Sequence, residues 1–161
     1  MKILVEYPTD EQERAIIRSN IDHADTPAIE PVMHTDDILK IRRAIFDQVT
    51  VSDEIVEKVQ QLVSLTRPGY TDIDEINHSL DAQDGGGASP RAGIHILRTA
   101  RSHAVISGRD FVTPEDIATV MLPVLRHRLM LRQDLAMNSV KQREKLLSEL
   151  LDRIFQRVWS Q

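Results

Sequence analysis

Gly85-Gly86-Gly87-Ala88-Ser89-Pro90-Arg91 is the segment best equipped for chemistry. Its three glycines loosen a loop that runs into a helix start. Ser89 can serve as N-cap, and Pro90 fits the first helical position, where its missing N–H costs nothing. Arg91 then falls in the first turn, among unpaired backbone N–H groups. That is the positive end of the helix dipole, where a cation is disfavoured by about 0.3–1 kcal/mol. An anion, a phosphate above all, held between guanidinium and helix terminus would reverse the penalty. A solvated arginine on an ordinary helix accounts for the same residues without a ligand.

Other candidate chemistry is sparse. No G-x-x-x-x-G-K-[ST] loop is present to cradle a nucleoside triphosphate, and neither G-x-S-x-G nor H-E-x-x-H occurs. His23, His34, His78, His95, His103 and His127 read as solvated or hydrogen-bonded structural residues. His95 and His103 lie about two helical turns apart, too far to share a metal. Asp72, Asp74 and Glu75 lack the spacing and glycine of a calcium loop and read as a solvated segment, so no metal site is expected. Arg126-His127-Arg128 is a basic knot, either a solvated helix end or a contact for an acidic partner. Catalysis by this chain alone has no visible basis.

Composition narrows the setting. The 161 residues are 41% hydrophobic and 28% charged, ordinary for one globular domain or a domain with an appendage. Aromatics make up only 4%, so the core must be built from aliphatic side chains. A net charge of −5 argues against binding nucleic acid or an anionic membrane as the main task. With no cysteine there is no disulfide framework and no thiolate zinc site. No signal peptide or spanning segment is visible, and a cytoplasmic location is expected.

The elements that must position Arg91 are helical almost throughout. Lys2-Ile3-Leu4-Val5 has strand character but no second strand to pair with. Thr9 opens a helix with Gln12 as a capping box, carrying Ala15, Ile16 and Ile17. Residues 20–34, with Pro27 and Pro31, read as loop. Thr35 caps a helix whose apolar stripe is Ile38, Ile41, Ile45 and Val49, flanked by Leu39 and Phe46. Ser52 caps a third, with Ile55, Val56, Val59, Leu62 and Val63. Residues 68–88 read as a long polar loop, a length more often functional or mobile than idle.

The helix behind Pro90 presents Ile94, Leu97, Ala100, Ala104 and Val105 and stops at Gly108. Thr113-Pro114-Glu115-Asp116 starts another, which should stop or kink near Pro123 and resume through Leu125 to Leu131. Ser139 with Gln142 forms a last capping box before a long terminal helix.

Four motifs in order carry a family resemblance. They are Gly87-Ala88-Ser89-Pro90-Arg91-Ala92, then Gly108-Arg109-Asp110-Phe111-Val112-Thr113-Pro114-Glu115-Asp116-Ile117, then Pro123-Val124-Leu125-Arg126-His127-Arg128-Leu129. The opening run from Ile3 to Arg14 is the fourth. Together the chain resembles the C-terminal lid of a MoxR-type AAA+ ATPase, within a clade shared with magnesium-chelatase subunits. The resemblance implies an all-α helical bundle of AAA+ lid type with a short orphan N-terminal strand. Residues 1–8 would be the remnant of the last core strand and hinge, and 9–161 the helical lid domain.

It further implies that Arg91 is the sensor 2 arginine, reaching the γ-phosphate of ATP bound with magnesium in a missing core domain. Ser89 and Pro90 would shape the helix start at that nucleotide, and Tyr7 and Pro8 would form the hinge beside the adenine. Loss of the phosphate contact on hydrolysis would let the lid swing. The chain is then expected to be a fragment or truncated product with no ATPase activity of its own. Its partners would be the core domain, neighbouring subunits of a hexameric ring and von Willebrand factor A-type proteins, in chaperone-like remodelling. Against the family pattern, Asp84-Gly85-Gly86 should make the loop before Arg91 more mobile. Two other readings stay open: a stand-alone helical protein-interaction module, or a nucleic-acid binder using Arg91, Arg98, Arg101 and Arg109.

Overall fold

A computed structural model describes residues 1–21, 29–82, 85–135 and 139–160. His23, Pro27 and Asp84 lie outside the described residues. Among the described residues seven α-helices follow in order: α1 Asp10–Ile21, α2 Thr35–Gln48, α3 Asp53–Leu65, α4 Asp74–Ser79, α5 Pro90–Ile106, α6 Pro114–Leu125 and α7 Val140–Trp159. A single 3-10 turn covers Gln133–Leu135. The all-α expectation holds. Among the described residues the only strand-like pairing is two isolated bridges, Thr50 with Phe111 and Leu80 with Leu131.

The core is aliphatic, as the shortage of aromatics requires. Leu62 of α3, Ile96 of α5, Ile117 of α6 and Leu147, Leu151 and Ile154 of α7 are all fully buried. On α5 the buried face is Ala92, Ile96, Ala100 and Ala104, one residue every four. Small side chains there let α5 sit close to α3 and α6. The expected stripe was therefore rotated: Ile94 and Val105 are 51% and 42% exposed. Periodicity alone fits either face, and packing against α3 and α6 chose the alanines.

Local end signals are realised in most places. Thr9 and Gln12 exchange the two bonds of a capping box: Gln12 N–H donates to Thr9 Oγ1 at 3.3 Å and Thr9 N–H to Gln12 Oε1 at 2.9 Å. Ile55 N–H donates to Ser52 Oγ at 3.3 Å. Helix α5 ends as expected at Gly108, whose φ of 74° is open to glycine. There Gly108 N–H donates to the Val105 carbonyl and Arg109 N–H to that of Ala104, both at 2.9 Å, the two bonds of a Schellman ending.

Five expectations fail. The strand expected at residues 2–5 does not form. Ile3 and Val5 are exposed, and one backbone bond, Lys2 N–H to the Pro123 carbonyl at 2.7 Å, ties the segment down. A strand needs a neighbour to take its polar groups, and none lies beside it among the described residues. Helix α2 begins at Thr35 with His34 as its N-cap, the His34 N–H donating to Asp37 Oδ2 at 3.2 Å. Ser139 makes no side-chain cap. Helix α6 stops near Pro123 as expected, at Leu125, but gives way to turns with no second helical piece. Pro123 has no N–H to donate to the ladder, and the helix ends two residues beyond it. The 68–88 segment, finally, contains α4, whose Ile76 is buried.

The outer helices differ from the rest. No residue of α1 is buried, and on α2 Ile38, Leu39, Ile41 and Phe46 are all 45% exposed or more. Ile45 and Val49 at the end of α2 pack on the core, but among the described residues the rest of these two apolar stripes is left uncovered.

Candidate functional site

The site is built at the start of α5. Ser89 occupies the N-cap position with extended backbone, Pro90 the first helical position and Arg91 the second. The Ser89 hydroxyl makes no cap bond, and the turn is closed instead by Ala92 N–H donating to the Ser89 carbonyl at 2.8 Å. Ser89, Pro90 and Arg91 are all exposed. Among the described residues no ion pair or hydrogen bond engages Arg91, so its guanidinium projects from a helix start with its donors open.

The residues just before it are tied to their neighbours by hydrogen bonds. Ala88 N–H donates to Thr66 Oγ1 at 2.9 Å, and that buried hydroxyl in turn donates to the Val63 carbonyl at 2.7 Å. Arg67 Nε donates to the Ala88 carbonyl at 3.0 Å. Gly86 N–H donates to the Asp81 carbonyl at 2.6 Å, and Met130 N–H to the Gly86 carbonyl at 3.1 Å. A Cβ at Gly87 would lie 2.6 Å from Arg67 Cα and 2.7 Å from the Thr66 carbonyl. Gly86 and Gly87 are there for close backbone approach. They pin the start of α5 between the end of α3 and the turns after α6.

The other end of α5 is held by charges that sequence reasoning missed. Asp116 of α6 is fully buried. Arg109 donates to both its oxygens, Nη1 to Oδ2 at 2.7 Å and Nη2 to Oδ1 at 2.6 Å. Thr113 N–H donates to Oδ2 at 2.8 Å, and His103 Nδ1 lies 2.6 Å from Oδ1. Burial pushes this carboxyl up, but the bonds from Arg109, His103 and Thr113 outweigh it and hold the pKa well below the carboxylate range. The signal is Arg109 and Asp116 on either side of one tight connection, where local rules see one arginine of a basic face and one helix-start acid.

Tyr7 is 99% exposed on the segment before α1, beside exposed Pro8. No described hydrogen bond joins that segment to Arg91. In the basic knot, Arg126 pairs with Glu144 of α7 at 3.3 Å, so it is a structural tie. His127 is exposed; its burial cost, with Arg128, the N-terminus, Lys2 and His95 nearby, lowers its pKa. His95 is lowered in the same way, with Arg128 the leading charge. Asp72 and Glu75 pair with Arg157 and Arg153 of α7, which accounts for the acidic segment. No group able to hold a metal occurs among the described residues. Of the four arginines in the nucleic-acid reading, Arg109 is committed to Asp116 and Arg101 donates to the Phe46 carbonyl at 3.4 Å.

Comparison with known proteins gives this geometry a context. Residues 85–150 match the family model described as an AAA lid domain. The chain is 36% identical over 135 residues to the chaperone MoxR1 of Mycobacterium tuberculosis, covering 83% of this chain and 34% of that protein. Over 39 residues it is 59% identical to the magnesium-chelatase subunit ChlI of Nicotiana tabacum, 24% of this chain and 9% of the relative. A crystal structure of a suggested ATPase from Cytophaga hutchinsonii superposes with a TM-score of 0.73 at 29% identity, over 95% of this chain and 44% of that one. The chain spans between 26% and 43% of the length of the first curated relatives it matches. No helix of the described residues is long and apolar enough to cross a membrane.

Proposed function

The chain carries an AAA lid domain of the MoxR type, and from that premise we propose that it acts as the small domain of an AAA+ ATPase, with Arg91 as its sensor 2 residue. One observation supports this most: an exposed arginine at the second position of α5, on a backbone pinned at both ends of the helix. A guanidinium with open donors at a helix N-terminus suits a phosphate, and a rigid mount suits a detector. The ATP and its magnesium would be held by an AAA+ core carrying the P-loop that this chain lacks.

In this reading residues 1–8 are the passage from the core and 9–161 the lid. Tyr7 and Pro8 lie at the hinge, near the adenine. Ser89 and Pro90 set the direction of the first turn of α5. While the γ-phosphate is present, Arg91 binds it and holds the lid to the core. After hydrolysis that contact is lost and the lid turns, converting nucleotide state into domain motion. The buried Arg109–Asp116 clamp makes the lid move as one body. Chaperone-like remodelling in a ring, with von Willebrand factor A-type partners in the cytoplasm, is the corresponding role. The experiment is ATP turnover by the chain joined to its AAA+ core. Arg91→Ala should lower it strongly, and Arg143→Ala on the exposed face of α7 should not. Equal turnover in Arg91→Ala and the parent would remove Arg91 from the site.

A further inference from the structure

Between α2 and α5 runs a groove of about 640 Å³, with Leu39, Arg42, Arg43 and Phe46 on the α2 side and Arg98 and Arg101 on the α5 side. Leu39 is 55% exposed and Phe46 64%, so the floor is apolar and open. Arg101 is set in place at its edge. Its Nη1 donates to the Phe46 carbonyl at 3.4 Å, its guanidinium lies 5.1 Å from the centre of the Phe46 ring, and its Nε has no partner. Arg42, Arg43 and Arg98 are exposed and make no ion pair or side-chain hydrogen bond among the described residues. Asp47 is the one acid among the lining residues, and it pairs with none of these arginines.

Four guanidiniums gathered here repel one another, with a single carboxylate in the groove to offset them. The chain as a whole carries a net charge of −5, but salt screens its distant acids beyond about 8–10 Å. A ligand entering the groove therefore meets a local positive field. Arginine clusters recognise carboxylates through paired N–H donors, and the aromatic floor beside them takes an apolar side chain. Arginine and aromatic residues are also the types that anchor protein interfaces. A nucleic-acid strand needs a basic track along its backbone. This groove has instead an apolar floor, an acid among its lining residues and room for only a few side chains.

We propose that the α2–α5 groove is the docking site for a short acidic segment of a partner protein. Its carboxylates lie on Arg42, Arg43, Arg98 and Arg101, and an apolar side chain between them rests on Leu39 and Phe46. The contact is small, so docking is weak and reversible. Arg98 sits about two turns from Arg91 along the same face of α5, so the partner grips the helix that carries Arg91. Docking needs no nucleotide and stands apart from the role of Arg91, whose test reads ATP turnover.

The probe is a short fluorescein-labelled peptide in which glutamates flank an adjacent phenylalanine and leucine. It is titrated with the whole chain, and with the chain joined to its AAA+ core, and read by anisotropy. Binding should be saturable in both and should weaken as salt rises. Arg42→Glu with Arg43→Glu, and separately Arg98→Glu, should weaken it by about tenfold or more while the circular dichroism stays unchanged. Arg143→Glu on the exposed face of α7 should leave it as it was. A peptide with serines for its phenylalanine and leucine should bind more weakly, and one with lysines for its glutamates should not bind. No saturable binding to the parent, binding indifferent to the groove reversals, equal binding of the serine peptide, tighter binding of an oligothymidylate, or loss of binding once the core is joined would each overturn the proposal.

Discussion

Arg109 and Asp116 form a two-bonded ion pair, at 2.7 and 2.6 Å, around a carboxylate with no solvent exposure. The pair spans the connection from α5 to α6, and Thr50 adds to it from the α2–α3 connection. Thr50 N–H donates to the Asp110 carbonyl at 2.8 Å and Val112 N–H to that of Thr50 at 3.0 Å. The carboxylate thus ties the end of α5 to the start of α6, the Thr50 bonds attach the α2–α3 connection to the same turn, and the direction of α5, hence of Arg91, depends on this junction.

Removing the cation should cost far more than an exposed ion pair would. Arg109→Ala leaves the buried carboxylate with only His103 and Thr113 and should lower stability by up to about 3–5 kcal/mol, read as a shift in the urea midpoint. Removing Arg157 from its exposed pair with Asp72 should move the midpoint far less, because solvent screens both charges.

Acid should erase the clamp. The folded pKa of Asp116 is depressed, so its contribution is complete above the unfolded value of about 3.9 and fades as pH falls from there toward the folded value. Asp116→Asn should therefore be less stable than the parent at pH 7, and the gap should narrow as the pH is lowered toward 3. A gap that widens in acid would refute this assignment.

The junction before Arg91 should be intolerant of small changes. Thr66→Val strands the Ala88 N–H that its hydroxyl accepts and should cost about 1–3 kcal/mol. Gly87→Ala drives a methyl into the backbone of residues 66 and 67 and should cost about as much through overpacking. In the joined ATPase, both should lower turnover by misplacing Arg91, and thermal melts of the chain alone should show the matching destabilisation.

For Arg91 itself the expected loss in turnover on Arg91→Ala is about ten- to a hundred-fold, from a charge-assisted contact of about 1.5–3 kcal/mol felt in the transition state. Arg91→Lys should recover part of it, since an ammonium keeps the charge and loses the planar fork. The melting temperature of the chain should not fall in either variant. Full rescue by lysine would mean that charge alone matters there.

The chain without its core should release no phosphate from ATP above background, because one arginine at a helix terminus replaces neither a P-loop nor a magnesium site. Steady-state phosphate release by pure protein measures this, and activity that co-purifies with the chain through gel filtration would contradict it.

What the sequence alone determined is mostly short-range. The capping box at Thr9, the cap at Ser52, the proline starts at Pro90 and Pro114 and the stop at Gly108 each involve residues within a turn of one another. They were legible because both partners are always near. The place of Arg91 at the start of α5 follows from the same local rules, as does the all-α class.

Tertiary structure decided whatever depends on a second element. Asp116 reads as an ordinary first-turn acid until the end of α5 brings Arg109 and His103 against it. Gly86 and Gly87 read as slack until Thr66 and Met130 are seen to press on them. Alternation picks out an apolar stripe on α1 and α2 as well as on α3, but only the partner helix determines whether the stripe is buried. Ile94 and Ile96 differ in the same way. Burial is a property of pairs of surfaces far apart in the chain, and a pattern confined to one helix carries no record of what will cover it.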